Sequence, residues 1–195
     1  MSSETRRAIR PARRTDDREP GCLPRSQSSP GDHALRQVLG TFTTGVTVVS
    51  FRLSDGRPLG VTANSFTSVS LDPPLVLVCL NRSGRSARAI VDAGHFAVNI
   101  LQVRQQDAAA AFSGPTRTMA SDRWSSAESG LPLLAQSLAT IECAVHEVMA
   151  GGDHDIIVGS VVAARSNRNL QPLVYYRGRS WSVSSATPGS LQTQA

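Results

Sequence analysis

At 195 residues and 40% hydrophobic, the chain has material for one domain with a sizeable core plus an appendage. All twenty basic residues are arginine, and the net charge of +5 divides unevenly: residues 1–31 carry seven Arg against four acids, so the rest stands at only +2, which does not force a nucleic-acid-binding face. Three cysteines, Cys22, Cys79 and Cys143, without a Cys-x-x-Cys pair, argue against a disulfide framework and a zinc site and favour a reducing, cytoplasmic compartment, and no apolar run approaches the roughly 20 residues of a membrane span.

In chain order, residues 1–31 are rich in Arg, Ser and Pro and show neither a period of 2 nor one of 3.6, which predicts a disordered arm: a plain extension, or a tether to acidic partners. Neither Arg6-Arg7 nor Arg13-Arg14 is followed by a hydrophobic stretch, so no export signal is expected. The segment "DHALRQVLGTF" places Leu35, Val38, Leu39 and Phe42 at helical spacing, with Asp32 as N-cap and Gly40 near the end. "GVTVVSFRL" is rich in β-branched residues and is followed by the turn signal Ser54-Asp55-Gly56.

"GVTANSFTSVSLDPPLVLVCL" reads as strand, break, strand, with Pro73 and Pro74 unable to continue a ladder and residues 75–80 as a strand buried on both faces. "NRSGRSARAIVDAG" opens a short helix that ends at Gly94, "HFAVNIL" alternates Phe96, Val98 and Ile100 on one face, and "RQQDAAAAF" is helical by propensity. Residues 113–137 are weakly patterned, long for a structureless connection, and such loops tend to be functional. Two long strands follow, "SLATIECAVHEVM" and "HDIIVGSVVAA", joined by a Gly-Gly turn, and "QPLVYYRGRSW" supplies a last strand with a turn at Gly178. Six or seven strands against two or three short helices, with mostly short connections, predict a mainly β domain over residues 32–184, an antiparallel barrel closed or partly closed, and a flexible tail over 185–195.

Nucleophile and zinc-protease motifs and the P-loop are missing. In "GDHD", strand alternation would send Asp153 and Asp155 to one face and His154 to the other, which disfavours a metal cluster; a strand-end histidine held by a backbone partner is an equal reading. "NRSGRSAR" follows a strand and opens a helix, which suits an anion at the free N–H groups, although an ordinary capped helix with solvated arginines has the same pattern. The hydroxyls and carboxamide between Thr62 and Ser70 suit the polar edge of a flat heterocycle such as an isoalloxazine, or a sheet edge kept polar against aggregation.

Taken together, "FTTGVTVVS", "GVTANSFTSVSLDPPLVLVCL", "GHFAVNIL", "GGDH" and "PLVYYRG", in this order and spacing, resemble the short-chain flavin reductases, the reductase components of two-component flavin-dependent monooxygenases. The resemblance covers residues 34–181. It implies a split β-barrel, an antiparallel Greek-key barrel of FMN-binding type with a few short peripheral helices, as a homodimer. It also implies hydride transfer from NADH or NADPH to FMN or FAD, with the reduced flavin passed to a partner monooxygenase. By matching positions, the resemblance implies flavin contacts from Pro58, Leu59, Gly60, Val61 and Thr62, with Asn64 and Ser65 at the ring's polar edge. Cys79, Leu80, Asn81, Arg82, Ser83 and Arg85 would surround the ribityl chain and phosphate, and Phe112 and Ser113 would close over the flavin. His154, in the catalytic position, would meet the nicotinamide nucleotide with Tyr175, Tyr176, Arg177 and Gly178. No metal is implied. The rival reading is a non-catalytic flavin- or haem-binding module on a similar barrel. A nucleic-acid-binding barrel is disfavoured by 5% aromatic residues on a near-neutral domain, and neither nucleic acid nor membrane is expected as a partner.

Overall fold

The computed structural model describes residues 31–114 and 119–183; most of the expected arm and the tail lie outside them. Three helices, α1 (Asp32–Leu39), α2 (Arg85–Ala93) and α3 (Gln106–Ser113), accompany twelve strands, of which the main sheet takes seven. In spatial order these are β3 (Pro58–Ala63), β2 (Thr47–Arg52), β6 (His95–Ile100), β9 (Ala139–Gly151), β10 (His154–Ser166), β5 (Pro74–Asn81) and β4 (Thr67–Leu71), all antiparallel.

That order forces the sheet to curl. Strands β3 and β4 occupy opposite edges yet are joined by residues 64–66 alone. Laid flat, six inter-strand gaps of about 4.8 Å would separate the edges by roughly 29 Å, whereas the chain from Ala63 to Thr67 reaches at most about 14 Å. The edges therefore meet without pairing, and the seam is sewn by Ser65. Its hydroxyl donates to the Cys79 carbonyl (2.9 Å) and accepts from the Cys79 N–H (3.0 Å). This is the expected barrel, split along β3 and β4.

Alternation along the strands sets the core. Val76, Val78 and Leu80 of β5 point inward to Val49, Phe51 and Phe96. The intervening residues of β5 are half-buried, so this strand is not buried on both faces as the continuous apolar run suggested. Like β2, whose residues from Thr47 to Phe51 are all buried, β6 is covered on both sides, with Phe96, Ala97, Val98 and Asn99 all buried. Its outer face is roofed by the stretch expected to be structureless: β7 (Trp124–Ser126) and β8 (Pro132–Leu134) pair as a hairpin whose Leu133 packs with Ala97, while Leu131 of the connecting turn joins the same cluster. The stretch from Gly60 to Leu80, expected as strand, break and strand, spans parts of three strands, because a turn at 72–73 separates β4 from β5 and Pro74 starts the latter.

Helix α2 closes one end of the barrel through Ala87 and Ile90 and stops at Gly94, whose left-handed φ of 72° lets its N–H reach the Ile90 and Val91 carbonyls. Helix α1 begins at Asp32, with Gly31 in the cap position assigned to Asp32 from the sequence, and its apolar side chains Leu35, Val38 and Leu39 remain exposed. The small sheet β1 (Thr44–Gly45), β11 (Leu173–Tyr176) and β12 (Arg179–Ser182) lies beside it, tied in by the Arg177 N–H on the Gly40 carbonyl at 2.8 Å. Among the described residues, no helix is long and apolar enough to cross a membrane.

Candidate functional site

Strands β5 and β10 end together, with Asn81 opposite His154, so the loop after β5 and the turn before β10 share one corner. The Asn81 carboxamide oxygen accepts from the Ser83 N–H (2.8 Å) and hydroxyl (2.6 Å), and the Gly84 N–H closes on the Asn81 carbonyl (3.1 Å). A Cβ at position 84 would lie 3.1 Å from that carbonyl, so the turn suits glycine. Helix α2 then starts at Arg85 with no acid in its first turn, an end whose N–H groups and dipole favour negative charge. Arg82 serves the corner differently. Its N–H donates to the Asp153 carbonyl (3.0 Å) and its guanidinium pairs with Asp155 (3.1 Å), so it is a strut between the two chain segments. Arg85 is exposed.

Asp153 sits in the two-residue turn with Gly152 (φ 69°), so strand alternation does not govern it. Its carboxylate meets His154 Nδ1 at 2.7 Å, on the same side as the ring that the strand reading placed opposite. The hydrogen bond with His154 holds the Asp153 carboxyl below the usual aspartate range, with a smaller contribution from the charge of Arg36. The contact leaves Nε2 as the outward nitrogen of the imidazole.

Most hydroxyls between Thr62 and Ser70 already have partners. Thr62 donates to the Ala109 carbonyl of α3 (2.8 Å), Ser65 closes the seam, and Ser70 accepts from the Asp72 N–H (3.2 Å). A third account of these side chains therefore joins the two drawn from the sequence: they fasten β3 and β4 to their neighbours. What β3 leaves open is backbone, since among the described residues it pairs only with β2 and its other edge carries a row of N–H and C=O groups without a strand partner. Leu59 and Val61 pack toward the barrel core, Gly60 faces Val48 and Phe112, and Pro58 is half-buried. Asn64, just past the strand, is exposed.

Leu80 and Phe112 are core side chains: Leu80 points into the barrel, and Phe112 is fully buried behind β3 with its ring edge-on to Trp124 at 5.4 Å. Neither offers side-chain surface to a ligand in this conformation, although the Leu80 backbone lies in the corner. Ser113 is exposed at the end of α3, its hydroxyl on the Ala110 carbonyl. Cys79 is half-buried and its thiol is pushed up by burial, while Cys143 is pushed up to about 12 by burial and the Glu142 charge, so neither is a thiolate near neutrality.

The Tyr175–Gly178 stretch, placed from sequence at the nucleotide, stands across a cleft from α1. Arg177 adopts a left-handed φ of 48° and stacks its guanidinium over the Tyr176 ring at 5.2 Å. Tyr175, Arg177 and Gly178 form one wall of a cleft of about 810 Å³; α1 and the residues after it form another, and Asn64 completes it. Sequence reading missed the α1 wall, which contributes His33, Arg36 and Phe42. Nothing in its local spacing distinguishes Arg36 from any solvated helix arginine; the Arg177–Gly40 backbone bond is what brings the two elements together.

The residues fit a flavin in donor chemistry: an open strand edge for the polar side of a ring, Asn64 beside it, and a glycine-turned helix start without acids for a phosphate. Comparison with known proteins agrees. The family model for the flavin reductase like domain matches residues 39–184. The reductase subunit of stachydrine N-demethylase from Rhizobium meliloti is 46% identical over 146 residues, 74% of this chain and 63% of that protein. A second protein of that organism is 44% identical, but the chain spans only 47% of its length. The NADH-dependent FAD reductase of Streptomyces globisporus is 40% identical over 151 residues, 74% of this chain and 82% of that one. A solved structure of the NADH:FAD oxidoreductase of Streptomyces globisporus C-1027, in complex with NAD and FAD fragments, superposes with a TM-score of 0.76 at 38% identity, covering 82% of this chain and 97% of that one. With the split barrel, the open β3 edge and the glycine-turned corner in place, the chain belongs to the flavin reductase like family.

Proposed function

We propose that the protein is an NAD(P)H:flavin oxidoreductase that reduces FMN or FAD and supplies the reduced flavin to a partner flavin-dependent monooxygenase, acting as a homodimer. The observation that carries this reading is the placement of Asn64, which stands both at the end of the open β3 edge and on the wall of the adjoining cleft, in a chain of this family. Two cofactors that exchange a hydride must lie within about 3.5 Å of each other, and Asn64 marks where ligands of strand and cleft adjoin. Family relatives named as reductase subunits of monooxygenases support the partner class, and NADH with FAD, the pair in the names of the Streptomyces relatives, is the first to assay.

When bound, the reduced nicotinamide supplies the hydride and the flavin accepts it, so the protein needs no nucleophile. The chain's own residues bind and align. The β3 backbone edge and Asn64 donate to the polar side of the ring and stabilise the negative charge that develops there. Ser83, by turning its hydroxyl away from the Asn81 carboxamide oxygen, would join Arg85 and the N–H groups opening α2 in holding the phosphate, Arg82 keeps the corner in shape through Asp155, and His154 would orient the nicotinamide while Asp153 fixes the tautomer of the imidazole.

Purified protein given NADH or NADPH with FMN, FAD or no added flavin should oxidise the nicotinamide only with a flavin present. Flavin or haem binding without oxidation would transfer support to the non-catalytic reading. His154→Ala is expected to lower kcat by about ten- to a hundredfold through misalignment, with flavin binding retained; unchanged steady-state kinetics would remove His154 from the site. Ser83→Ala and Arg85→Ala should each raise the flavin dissociation constant about tenfold, the worth of a charge-assisted hydrogen bond, with little effect at saturation. Equal affinity of the wild type for riboflavin and FMN would refute the phosphate role of this loop.

A further inference from the structure

At the end of β10 away from His154, the segments that follow β6, β8 and β10 enclose a groove lined with carboxamides. Its larger hollow, about 520 Å³, is lined by Gln102, Gln136, Asn167, Asn169 and Gln171, with Arg104 the one charged side chain among the described lining residues. A second hollow of about 340 Å³ shares Gln102, Arg104 and Gln136 with the first and adds Asp122 and the Asp107–Arg123 ion pair (2.9 Å). The backbones of the three segments bond to one another. The Val103 N–H donates to the Gln171 carbonyl (2.9 Å), the Asn167 N–H to the Leu138 carbonyl (2.8 Å), and Gln105 Nε2 to the Ala135 carbonyl (2.9 Å). That leaves the side chains. Among the described residues the carboxamides of Gln136, Asn169 and Gln171 make no hydrogen bond, and neither Arg104 nor Asp122 has an ion-pair partner. Gln102 is only 5% exposed. Its oxygen accepts from the Arg104 N–H (2.8 Å), while its NH2 group has no partner among the described residues and the side chain lines both hollows. A buried donor without a partner is costly, and the groove is where one can come from. Gln136 adds a left-handed φ of 59°, uncommon for a residue with a long side chain.

A carboxamide offers a donor and an acceptor in one plane, which is the pattern of a peptide group. Two joined hollows suit an extended chain better than a compact molecule. A sugar would call for an aromatic platform, which the described lining lacks, and a nucleic acid for a run of cations, where the groove has one unpaired arginine against one unpaired aspartate. We infer that this groove binds an extended peptide segment of a partner protein, its main chain on the carboxamides and its acidic and basic side chains on Arg104 and Asp122. The inference goes beyond the flavin chemistry and does not depend on it. Helix α3 begins at the groove and holds β3 through the Thr62 hydroxyl on the Ala109 carbonyl (2.8 Å), so a partner bound here stands beside the element that backs the open strand edge.

The probes are end-blocked alanine peptides carrying one Glu and one Lys, in both orders and at several spacings, titrated into the nitrogen-15-labelled full chain. The NH2 resonances of Gln102, Gln136 and Gln171 should move, most strongly for one order and spacing, and the same peptide with Gln in place of both charges should bind about tenfold more weakly. Arg104→Ala should weaken the best peptide about tenfold and Gln171→Ala about threefold, at an unchanged melting temperature because both side chains are exposed. The double variant Arg104→Glu with Asp122→Lys, at two exposed positions, inverts the charges of the groove and should prefer the peptide with Glu and Lys exchanged. Failure of every peptide to move these resonances at millimolar concentration overturns the inference, as does an order preference that the double variant leaves unchanged. Movement of the same resonances by a neutral oligosaccharide and not by the peptides would make the groove a sugar site. Movement that follows protein concentration without added peptide would assign it to a second copy of this chain. Either result overturns the inference.

Discussion

Asn99→Leu is expected to destabilise the fold by about 3 kcal/mol or more, because one fully buried carboxamide holds three backbone or hydroxyl groups at once. Its NH2 donates to the Val48 carbonyl (2.9 Å) and the Ser50 hydroxyl (2.8 Å), and its oxygen accepts from the Leu134 N–H (2.8 Å). The bonds run from β6 to β2 on one side and to β8 on the other, so they fasten the β7–β8 roof to the barrel. Leucine matches the volume but leaves the Leu134 N–H without its acceptor in a buried setting. Each such orphan costs roughly 1–3 kcal/mol. In a domain of this size that corresponds to a fall in Tm of roughly 6–12 °C. Denaturant titration should show the change in midpoint, and hydrogen exchange should show the Leu134 amide losing protection ahead of the β9–β10 amides. A loss under about 1 kcal/mol, smaller than that of one orphaned group, would mean that the roof is held by its other contacts, the Ser50 hydroxyl on the Pro132 carbonyl, Arg52 on the Gly130 carbonyl (2.6 Å) and the apolar cluster.

Gly159→Ala is the second large effect, at about 2–3 kcal/mol, and its cause is space. A Cβ on Gly159 would stand 2.6 Å from the Phe96 ring and 2.8 Å from Cys143 Cβ, both fully buried. Cys143 Cβ is anchored to the β9 backbone, and Phe96 lies in the barrel core, so the strain must pass to β10 at the register shift beside Val158. Phe96→Leu in the same chain should recover part of the loss, because the two positions compete for one volume, and the double-mutant cycle reads that coupling directly. Additive losses would show that the methyl finds room elsewhere. Gly60 has a similar close approach, 2.8 Å to Phe112. Its strand is an edge, however, so β3 can shift with α3 and the penalty for Gly60→Ala should be smaller.

These two positions also show what reading the chain residue by residue can reach. The β-branched runs, the turn at Asp72-Pro73, the Gly94 helix stop and the Gly152 hairpin are consequences of backbone preference, which acts within a few residues, and each appears where the pattern placed it, whereas Pro74, expected to stay out of the ladder, opens β5 opposite Leu71. Leu80 was within reach too, since Val76, Val78 and Leu80 alternate, and that alternation makes Leu80 a core residue. The roles of Asn99 and Gly159 were not legible, because a buried amide and a glycine in a strand look alike whether or not a roof or a ring crosses them.

The candidate site divides along the same line. The corner of Asn81–His154 could be anticipated as two motifs, "NRSG" and "GDH", because each is a local turn; that they adjoin follows from the β5–β10 register. The hydroxyls between Thr62 and Ser70 were ambiguous, since a hydroxyl satisfied by Ala109 or Cys79 has the same sequence signature as one waiting for a ligand. Sequence by itself determined most strands of the main sheet, the turns between them, the near-neutral charge of the domain and the family to which the motifs belong. Only the tertiary structure decided that the barrel is split at Ser65, that Phe112 packs behind β3, and that Arg36 faces the Arg177 turn across a cleft. Hydrogen-bond partners and cavities are made by segments far apart in the chain, and a side chain's type records what it can bond, not which of its neighbours has already done so.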